Sequence, residues 1–140
     1  MRSTWPLLFP LIVVVYGQPS FDAHTLTSSA DETYSVYAVD LDSDGDMDVL
    51  SASWNDDKIA WYENNGSESF TARTITTSAD GARSVYAVDV DSDGDIDVLS
   101  ASDQDDKIAW YENNGSESFR DPDNAIITIS EAIGGVVIAN

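Results

Sequence analysis

The sequence predicts an all-β protein built from tandem four-stranded antiparallel β-propeller blades, with about two blades of an incomplete propeller. Residues 21–69 align with residues 70–118 without a gap, and 38 of the 49 positions match. Each unit holds short runs of β-branched and aromatic residues separated by turn signals. No window shows a sustained helical period. Four strands in a tandem repeat of this length are the signature of propeller blades.

A complete blade is predicted to contain four strands in chain order. The predicted strands are 35–39, 49–53, 58–63 and 70–76 in the first blade, and 84–88, 98–102 and 107–112 in the second. Asn65-Gly66 indicates a tight turn between the third and fourth strands. The leading segment 21–27, FDAHTLT, is predicted to be the outer strand of a blade whose inner strands are missing. The second blade is predicted to lack its own outer strand.

Two blades do not close a propeller, which needs about four to eight. A lone pair would leave sheet edges and apolar faces open to water. Three hypotheses follow: the chain is a fragment of a larger array, several chains assemble, or the fold is an open two-blade pair. The repeat pattern is lost abruptly after Phe119, and residues 120–140 form a divergent C-terminal tail. This loss favours the fragment hypothesis.

Two acidic loops dominate the chemistry. DLDSDGDMD at 40–48 and DVDSDGDID at 89–97 each hold five Asp. Two carboxylates about 4 Å apart repel by roughly 1 kcal/mol in water and about 4 kcal/mol at a surface-like dielectric, so a cation is expected among them. Alternate Asp side chains point inward when the loop curls, and the Gly suits a positive φ. Many oxygen ligands on a flexible loop favour Ca²⁺.

Two structural Ca²⁺ sites are therefore predicted, one in each loop. The predicted ligands are the side chains of Asp40, Asp42, Asp44 and Asp48 with the Asp46 carbonyl, and of Asp89, Asp91, Asp93 and Asp97 with the Asp95 carbonyl. An EF-hand is excluded, because it requires Glu at loop position twelve and helices on both sides. That position holds Ser51 or Ser100, and the flanking segments are strand-like. A solvated acidic turn without an ion is the alternative.

The repeat unit resembles the FG-GAP / VCBS-type repeat, the blade of the integrin α-subunit propeller and of many secreted proteins. The resemblance rests on VYAVDLDSDGDMDVLSAS with KIAWYENNGSESF, repeated in the second copy, and spans residues 21–119. It implies Ca²⁺ bound by each acidic loop between adjacent strands of a blade, and partner binding on the side opposite these loops. The sequence lacks a literal Phe-Gly…Gly-Ala-Pro pattern, so the VCBS-like branch is the nearer match.

The 11 differences between the copies are uneven. Near the acidic loops they are mild, whereas at the opposite end of the strands they change the chemistry of the side chain. We therefore predict a ligand-facing surface there, for an extracellular protein or glycan. Its candidate residues are Tyr34, Trp54, Asn55, Arg83 and Gln104. Neutral drift on exposed loops is the alternative. Trp61 and Trp110 lie in strand-like segments and are predicted to pack in the core.

Composition limits the compartment and the partners. The chain carries 26 acidic and 6 basic residues, a formal charge of -20, which argues against nucleic acid and anionic membranes. It has no Cys, which excludes disulfides and thiolate sites. Residues 1–20 contain one Arg and an apolar run too short to span a bilayer. They are predicted to be a signal peptide, giving a secreted or cell-surface chain without membrane insertion.

No catalytic motif is present, so a binding or adhesion module is predicted rather than an enzyme. The chain has one His, His24, and no Gly-rich phosphate loop or H-E-x-x-H motif. Two other classes remain open: a non-catalytic accessory piece of a larger secreted hydrolase, and a purely structural surface repeat. Asn65 and Asn114 each begin an N-G-S sequence, which is either a glycosylation acceptor or only a turn.

Overall fold

The computed structural model describes residues 19–116, 119–120 and 127–128, which form two antiparallel sheets. The first sheet has the order β1-β2-β3-β4, with β1 (Thr33–Val39), β2 (Asp48–Ser53), β3 (Lys58–Asn64) and β4 (Phe70–Thr76). The second contains β5 (Ala82–Val88), β6 (Asp97–Ser102), β7 (Lys107–Asn113), β8 (Phe119–Arg120) and β9 (Ile127–Thr128). The described residues contain no helix. The all-β prediction of two tandem blades is confirmed.

The strands lie where β-branched and aromatic residues are concentrated, as predicted. Each of the predicted five-to-seven-residue runs in the two blades is a strand, and observed strands extend predicted ones by two residues at most. Both inner hairpins have the same register. Tyr37 lies opposite Leu50 in the first blade, and Tyr86 lies opposite Leu99 in the second. The 49-residue repeat therefore produces the same strand pairing twice.

The outer edges of the two blades differ from the prediction. Residues 21–27 form no strand, because the described residues include no inner strand ahead of them to pair with. The second blade does have an outer strand, in two pieces. Phe119 pairs with Asn113 and Ile127 pairs with Ile108, on the edge of β7 that corresponds to the β4 edge of β3. The sequence between these pieces holds Pro122, which lacks the N–H that a ladder requires.

Side chains alternate between two faces of each sheet, and cross-strand pairs share a face. We name the faces after one residue. The tryptophan face carries Tyr37, Leu50, Ile59 and Trp61 in the first blade and Tyr86, Leu99, Ile108 and Trp110 in the second. The valine face carries Val36, Ala38 and Val49 in the first blade and Val85, Ala87 and Val98 in the second.

The core lies between the blades, where the tryptophan face of the first packs against the valine face of the second. Leu50, Ile59 and Trp61 belong to the same buried cluster as Val85 and Val98. Burying each such side chain contributes about 1.5–3 kcal/mol. The core prediction holds for Trp61, which is 1% exposed. It holds only in part for Trp110, which is half-buried because no described blade covers its face.

Two predictions concern segments that lie largely outside the described residues. These are the signal peptide at 1–20 and the divergent tail at 120–140, of which only three residues are described. Within the described part of the chain, no helix has the length and hydropathy needed to cross a membrane.

Candidate metal centre

The two acidic loops join the first two strands of each blade, and both gather carboxylates. In the first loop, carboxylate oxygens of Asp40, Asp42 and Asp44 lie within 4.8 Å of one another. In the second loop the corresponding group consists of Asp89, Asp91 and Asp97. Each loop is flanked by strands of a sheet and not by the two helices that an EF-hand requires. Six of the predicted ligands thus fall into two compact groups, one in each blade.

Backbone amides hold each loop in its curled form. Gly45 N donates to Asp40 Oδ2 at 3.1 Å, and Asp46 N donates to Asp44 Oδ1 at 2.8 Å. The second loop repeats both bonds, at 3.1 and 2.9 Å. The glycine prediction is confirmed, because φ is +97° at Gly45 and +101° at Gly94. A side chain at either position would be strained in this left-handed region.

Asp48 and Asp97 are the most buried of the described acidic residues, at 0% exposure. Asp48 Oδ2 accepts from Leu41 N at 3.1 Å, and its Oδ1 accepts from Asn64 N at 2.7 Å. Asp97 makes the same two bonds, at 3.0 and 2.8 Å. Each carboxylate therefore ties the start of its acidic loop to the end of the third strand of its blade. Sequence reasoning assigned these residues to an ion and did not foresee this structural role.

Two asparagines that sequence reasoning missed connect the acidic loop to the turn beside it. Asn64 Nδ2 donates to Met47 O at 3.1 Å, and Asn64 Oδ1 accepts from Gly66 N at 3.2 Å. Asn113 forms the equivalent pair and also donates to Leu41 O of the first blade at 3.5 Å. The sequence feature that could have identified these two residues is the first Asn of each NNGS sequence. These bonds place the acidic loop and the turn at the same end of the blade.

The side chains of Asp46 and Asp95 belong to neither carboxylate group. Each lies against the glycine of the adjacent turn: a Cβ at Gly66 would collide with Asp46 Oδ2, and one at Gly115 would lie 2.6 Å from Asp95 Oδ2. The prediction assigned only the backbone carbonyls of these two residues to the ion. Glycine in the NNGS turn is therefore needed for close packing as well as for its positive φ of about 70°.

One atom in the first loop indicates that the site fits a cation. Asp40 Oδ1 is buried and has no hydrogen-bond partner among the described residues, although Asp40 Oδ2 has one. Burying a carboxylate oxygen without a hydrogen-bond donor costs free energy, and a metal ion bound within a cluster of oxygens offsets that cost. The donor set consists of hard oxygens only, which suits Ca²⁺ better than Zn²⁺.

The electrostatics of both loops agree with this fit. Burial raises the pKa of Asp42; the Asp44 amide opposes this, while the charges of Asp48, Asp44 and Glu63 add to it. The pKa of Asp91 is raised in the same way, by burial and by Asp93, Asp97 and Asp89. A raised carboxyl pKa means that the folded state disfavours the charged form. A cation among these oxygens would reverse that preference.

The opposite end of the strands carries the five candidate ligand residues. Three of them contact one another together with Asp103, which was not a candidate. We call this group the interblade clasp, formed by Tyr34, Trp54, Arg83 and Asp103. Trp54 Nε1 donates to Asp103 Oδ1 at 3.0 Å, and Arg83 Nε donates to Asp103 Oδ2 at 2.6 Å. The Arg83 guanidinium lies 4.3 Å from the Tyr34 ring centroid and 5.7 Å from that of Trp54.

The clasp explains several differences between the copies. Trp54 in the first blade corresponds to Asp103 in the second, and the two contact each other across the blade boundary. Gly81, which corresponds to Glu32, leaves room for this contact, because a Cβ there would collide with Asp103 Oδ1 and lie 2.9 Å from Trp54 Nε1. These differences are mutually complementary.

The other predicted surface residues lie apart from the clasp contacts. Asn55 is exposed and donates to Asp31 Oδ2 at 2.6 Å, and Gln104 is exposed beside the clasp. Asn65 and Asn114 are exposed in the NNGS turns, where their Oδ1 atoms accept from Ser67 N and Ser116 N. His24 is exposed in the segment before the first strand.

The clasp predicts an acid-sensitive contribution to stability. Burial alone would raise the pKa of Asp103, but hydrogen bonds from Trp54 and Arg83 and the Arg83 charge outweigh it, so the pKa is lowered. Such a carboxyl stabilises the fold above the pKa of unfolded Asp, about 3.9, and loses that contribution as pH falls through its folded-state value. We expect Asp103→Asn to weaken the acid dependence of the urea midpoint below about pH 5. If the urea midpoint of the variant depends on pH below about pH 5 as strongly as that of the natural chain, the prediction is wrong.

Comparison with known proteins gives one family. A model described as FG-GAP-like repeat matches residues 40–100 and 89–140. The two matches begin at the first Asp of each acidic loop, 49 residues apart, and together cover more than half of the chain. No curated protein and no solved structure matches the chain.

Proposed function

The chain belongs to the FG-GAP-like repeat family, and we propose that it is a secreted, calcium-binding propeller module that binds an extracellular protein or glycan in adhesion. One observation carries the calcium proposal. Two loops at equivalent places in two family repeats gather carboxylates within 4.8 Å, and one of them leaves the buried Asp40 Oδ1 without a donor. Structural calcium accounts for both features with the same ligands.

The role of the site is mechanical rather than catalytic. Asp40, Asp42 and Asp44 would hold the ion in the first blade, and Asp89, Asp91 and Asp97 in the second. Bound Ca²⁺ supplies positive charge to oxygens that otherwise repel one another. The residues of the chain do the rest: the buried Asp48 and Asp97 fix where each loop leaves its sheet, and the NNGS asparagines fix the neighbouring turn. The proposal assigns no reaction to these carboxylates.

An extracellular location is supported by the family and by the N-terminal sequence. Residues 7–16 are an apolar run after a single Arg, which is typical of a secretory signal. Calcium affinities of extracellular modules, about 10⁻⁴–10⁻³ M, suit a compartment with abundant calcium. The chain contains no Cys, so bound ions would provide the stabilisation that disulfides provide in other secreted domains.

The interblade clasp favours a second candidate, a purely structural surface repeat. Trp54, Arg83 and Asp103 contact one another, so part of the predicted ligand surface serves blade packing. Tyr34 remains 54% exposed and is the member best placed to contact a partner. An array of glycans and matrix proteins separates the two candidates, because a structural repeat would bind nothing on it.

Removing calcium should lower the stability of the fold. A free concentration 100 times Kd stabilises a site by about 2.7 kcal/mol, so two sites should raise Tm by on the order of 10 °C or more relative to EDTA. Scanning calorimetry in Ca²⁺ and in EDTA measures this. The double variant Asp44→Asn with Asp91→Asn, one ligand from each group, is the control and should respond weakly. Equal Tm values for the natural chain in both buffers would disprove the calcium proposal.

A further inference from the structure

The contact between the two blades joins unlike surfaces. Equivalent residues therefore differ in burial. Val36 is 68% exposed in the first blade, whereas its counterpart Val85 is 4% exposed under the first blade. Leu41 is 1% exposed, whereas its counterpart Val90 is 43% exposed. Both pairs occupy the same repeat positions, and Val36 and Val85 are the same residue, so their difference in burial comes from the cover. The interface is thus heterologous, of the head-to-tail kind that propagates until it closes into a ring.

The pair of blades consequently presents, at its two ends, the same two faces that fit together in its middle. On the valine face of the first blade, β1 exposes Val36 and Ala38, whereas Ala60 and Tyr62 of β3 are only 3% and 4% exposed. The tryptophan face of the second blade leaves Leu99, Ile108 and Trp110 half-buried and Tyr86 37% exposed. Because 38 of 49 positions are identical between the copies, these two faces repeat the surfaces of the established interface. Exposed apolar faces of this kind mark interaction sites.

We propose that the occupant of each open face is a second copy of this chain. The tryptophan face of the second blade in one copy packs on the valine face of the first blade in the next, as the two blades do within one chain. Closed propellers contain about four to eight blades, so rings of two to four chains satisfy this geometry.

The electrostatics set the conditions under which the ring forms. The side chains named on both faces are uncharged, while the chain as a whole carries a formal charge of -20. Like charge opposes association over a distance of about 10 Å at moderate ionic strength, and salt screens it. The inference extends beyond the proposed calcium function and does not require either acidic loop to hold an ion.

Molar mass tests the proposal. Light scattering coupled to size-exclusion chromatography of the full chain in physiological salt should give two to four times the monomer mass. Val36→Glu places a charge on the valine face and should give the monomer mass. Its fold should be unchanged, because Val36 is largely exposed within one chain. Phe21→Glu is the matched control: Phe21 is 91% exposed but lies outside both sheets, so its variant should keep the natural mass.

Complementation gives a sharper result. Leu99→Glu blocks the tryptophan face of the second blade and should also give monomers. A mixture of the two variants retains one intact face of each kind, so it should form pairs of twice the monomer mass and nothing larger. A monomeric natural chain, an assembled Val36→Glu variant, or dissociation caused by Phe21→Glu would overturn the proposal, and so would a folded mixture without pairs. If Leu99→Glu fails to fold, the Val36 and Phe21 variants decide alone.

Discussion

Replacing Asp48 by alanine should destabilise the protein by roughly 3–6 kcal/mol, because one buried and one partly buried amide would each lose a charged acceptor worth about 1.5–3 kcal/mol. Asp48 is fully buried and accepts from the backbone of Leu41 and of Asn64. Both donors lie at the junction of the acidic loop with the sheet, where water does not replace the carboxylate readily. Typical domains have only 5–15 kcal/mol in total, so a large part of the stability depends on this residue.

Urea denaturation in EDTA and in Ca²⁺ separates the two roles of this carboxylate. Most of the Asp48→Ala loss should persist in EDTA, since the amide bonds do not depend on an ion. Asp44→Ala is the matched control, because Asp44 is exposed and its one described donor is the Asp46 amide in the same loop. Its loss should appear mainly in Ca²⁺. Equal losses for both variants in EDTA would contradict the structural role of Asp48.

Replacing Trp61 by alanine should cost about 3–5 kcal/mol, the range found for large aromatic side chains in cores. Its ring is 1% exposed, packs edge-on against Phe119 at 6.1 Å between centroids, and lies 5.2 Å from the Arg73 guanidinium carbon. Trp61 Nε1 has no hydrogen-bond partner among the described residues, so Trp61→Phe, which keeps most of the volume and removes this donor, should cost much less.

Trp110 provides an internal comparison for Trp61. The two residues occupy the same repeat position, but Trp110 is half-buried because its face lies at the open end of the pair. Trp110→Ala should therefore cost clearly less than Trp61→Ala in chains kept monomeric by Val36→Glu. Urea midpoints of the two double variants measure the difference. Equal losses would show that the tryptophan face of the second blade is covered within one chain.

Sequence reasoning found the strands and both acidic loops because these features are local. A run of alternating residues or a spaced set of Asp is readable within about ten positions. It also anticipated a positive φ at Gly45, since few other residues tolerate that backbone. The family resemblance rested on the same local motifs and is now supported by the family match.

Features that depend on contacts between distant residues were not foreseen. The bond between Asp48 and the Asn64 amide joins residues 16 positions apart, and the clasp contact between Trp54 and Asp103 spans 49 positions. Pairing of β8 and β9 with β7 also depends on which edge of β7 remains free. The strand predicted at 21–27 does not form, because the described residues offer no neighbouring strand for it to pair with. Periodicity reports which residues are apolar, whereas the choice of partner is set by the assembled fold.

A β-bulge occurs at the same place in both inner hairpins, between Thr33 and Ser35 and between Ala82 and Ser84. The extra residue, Tyr34 or Arg83, stands outside the ladder, so a change there does not shift the register of the sheet. Three consecutive differences between the copies end at this position. The bulge thus gives the repeat a place to evolve: duplicated blades can acquire new side chains at one rim while every strand keeps its pairing.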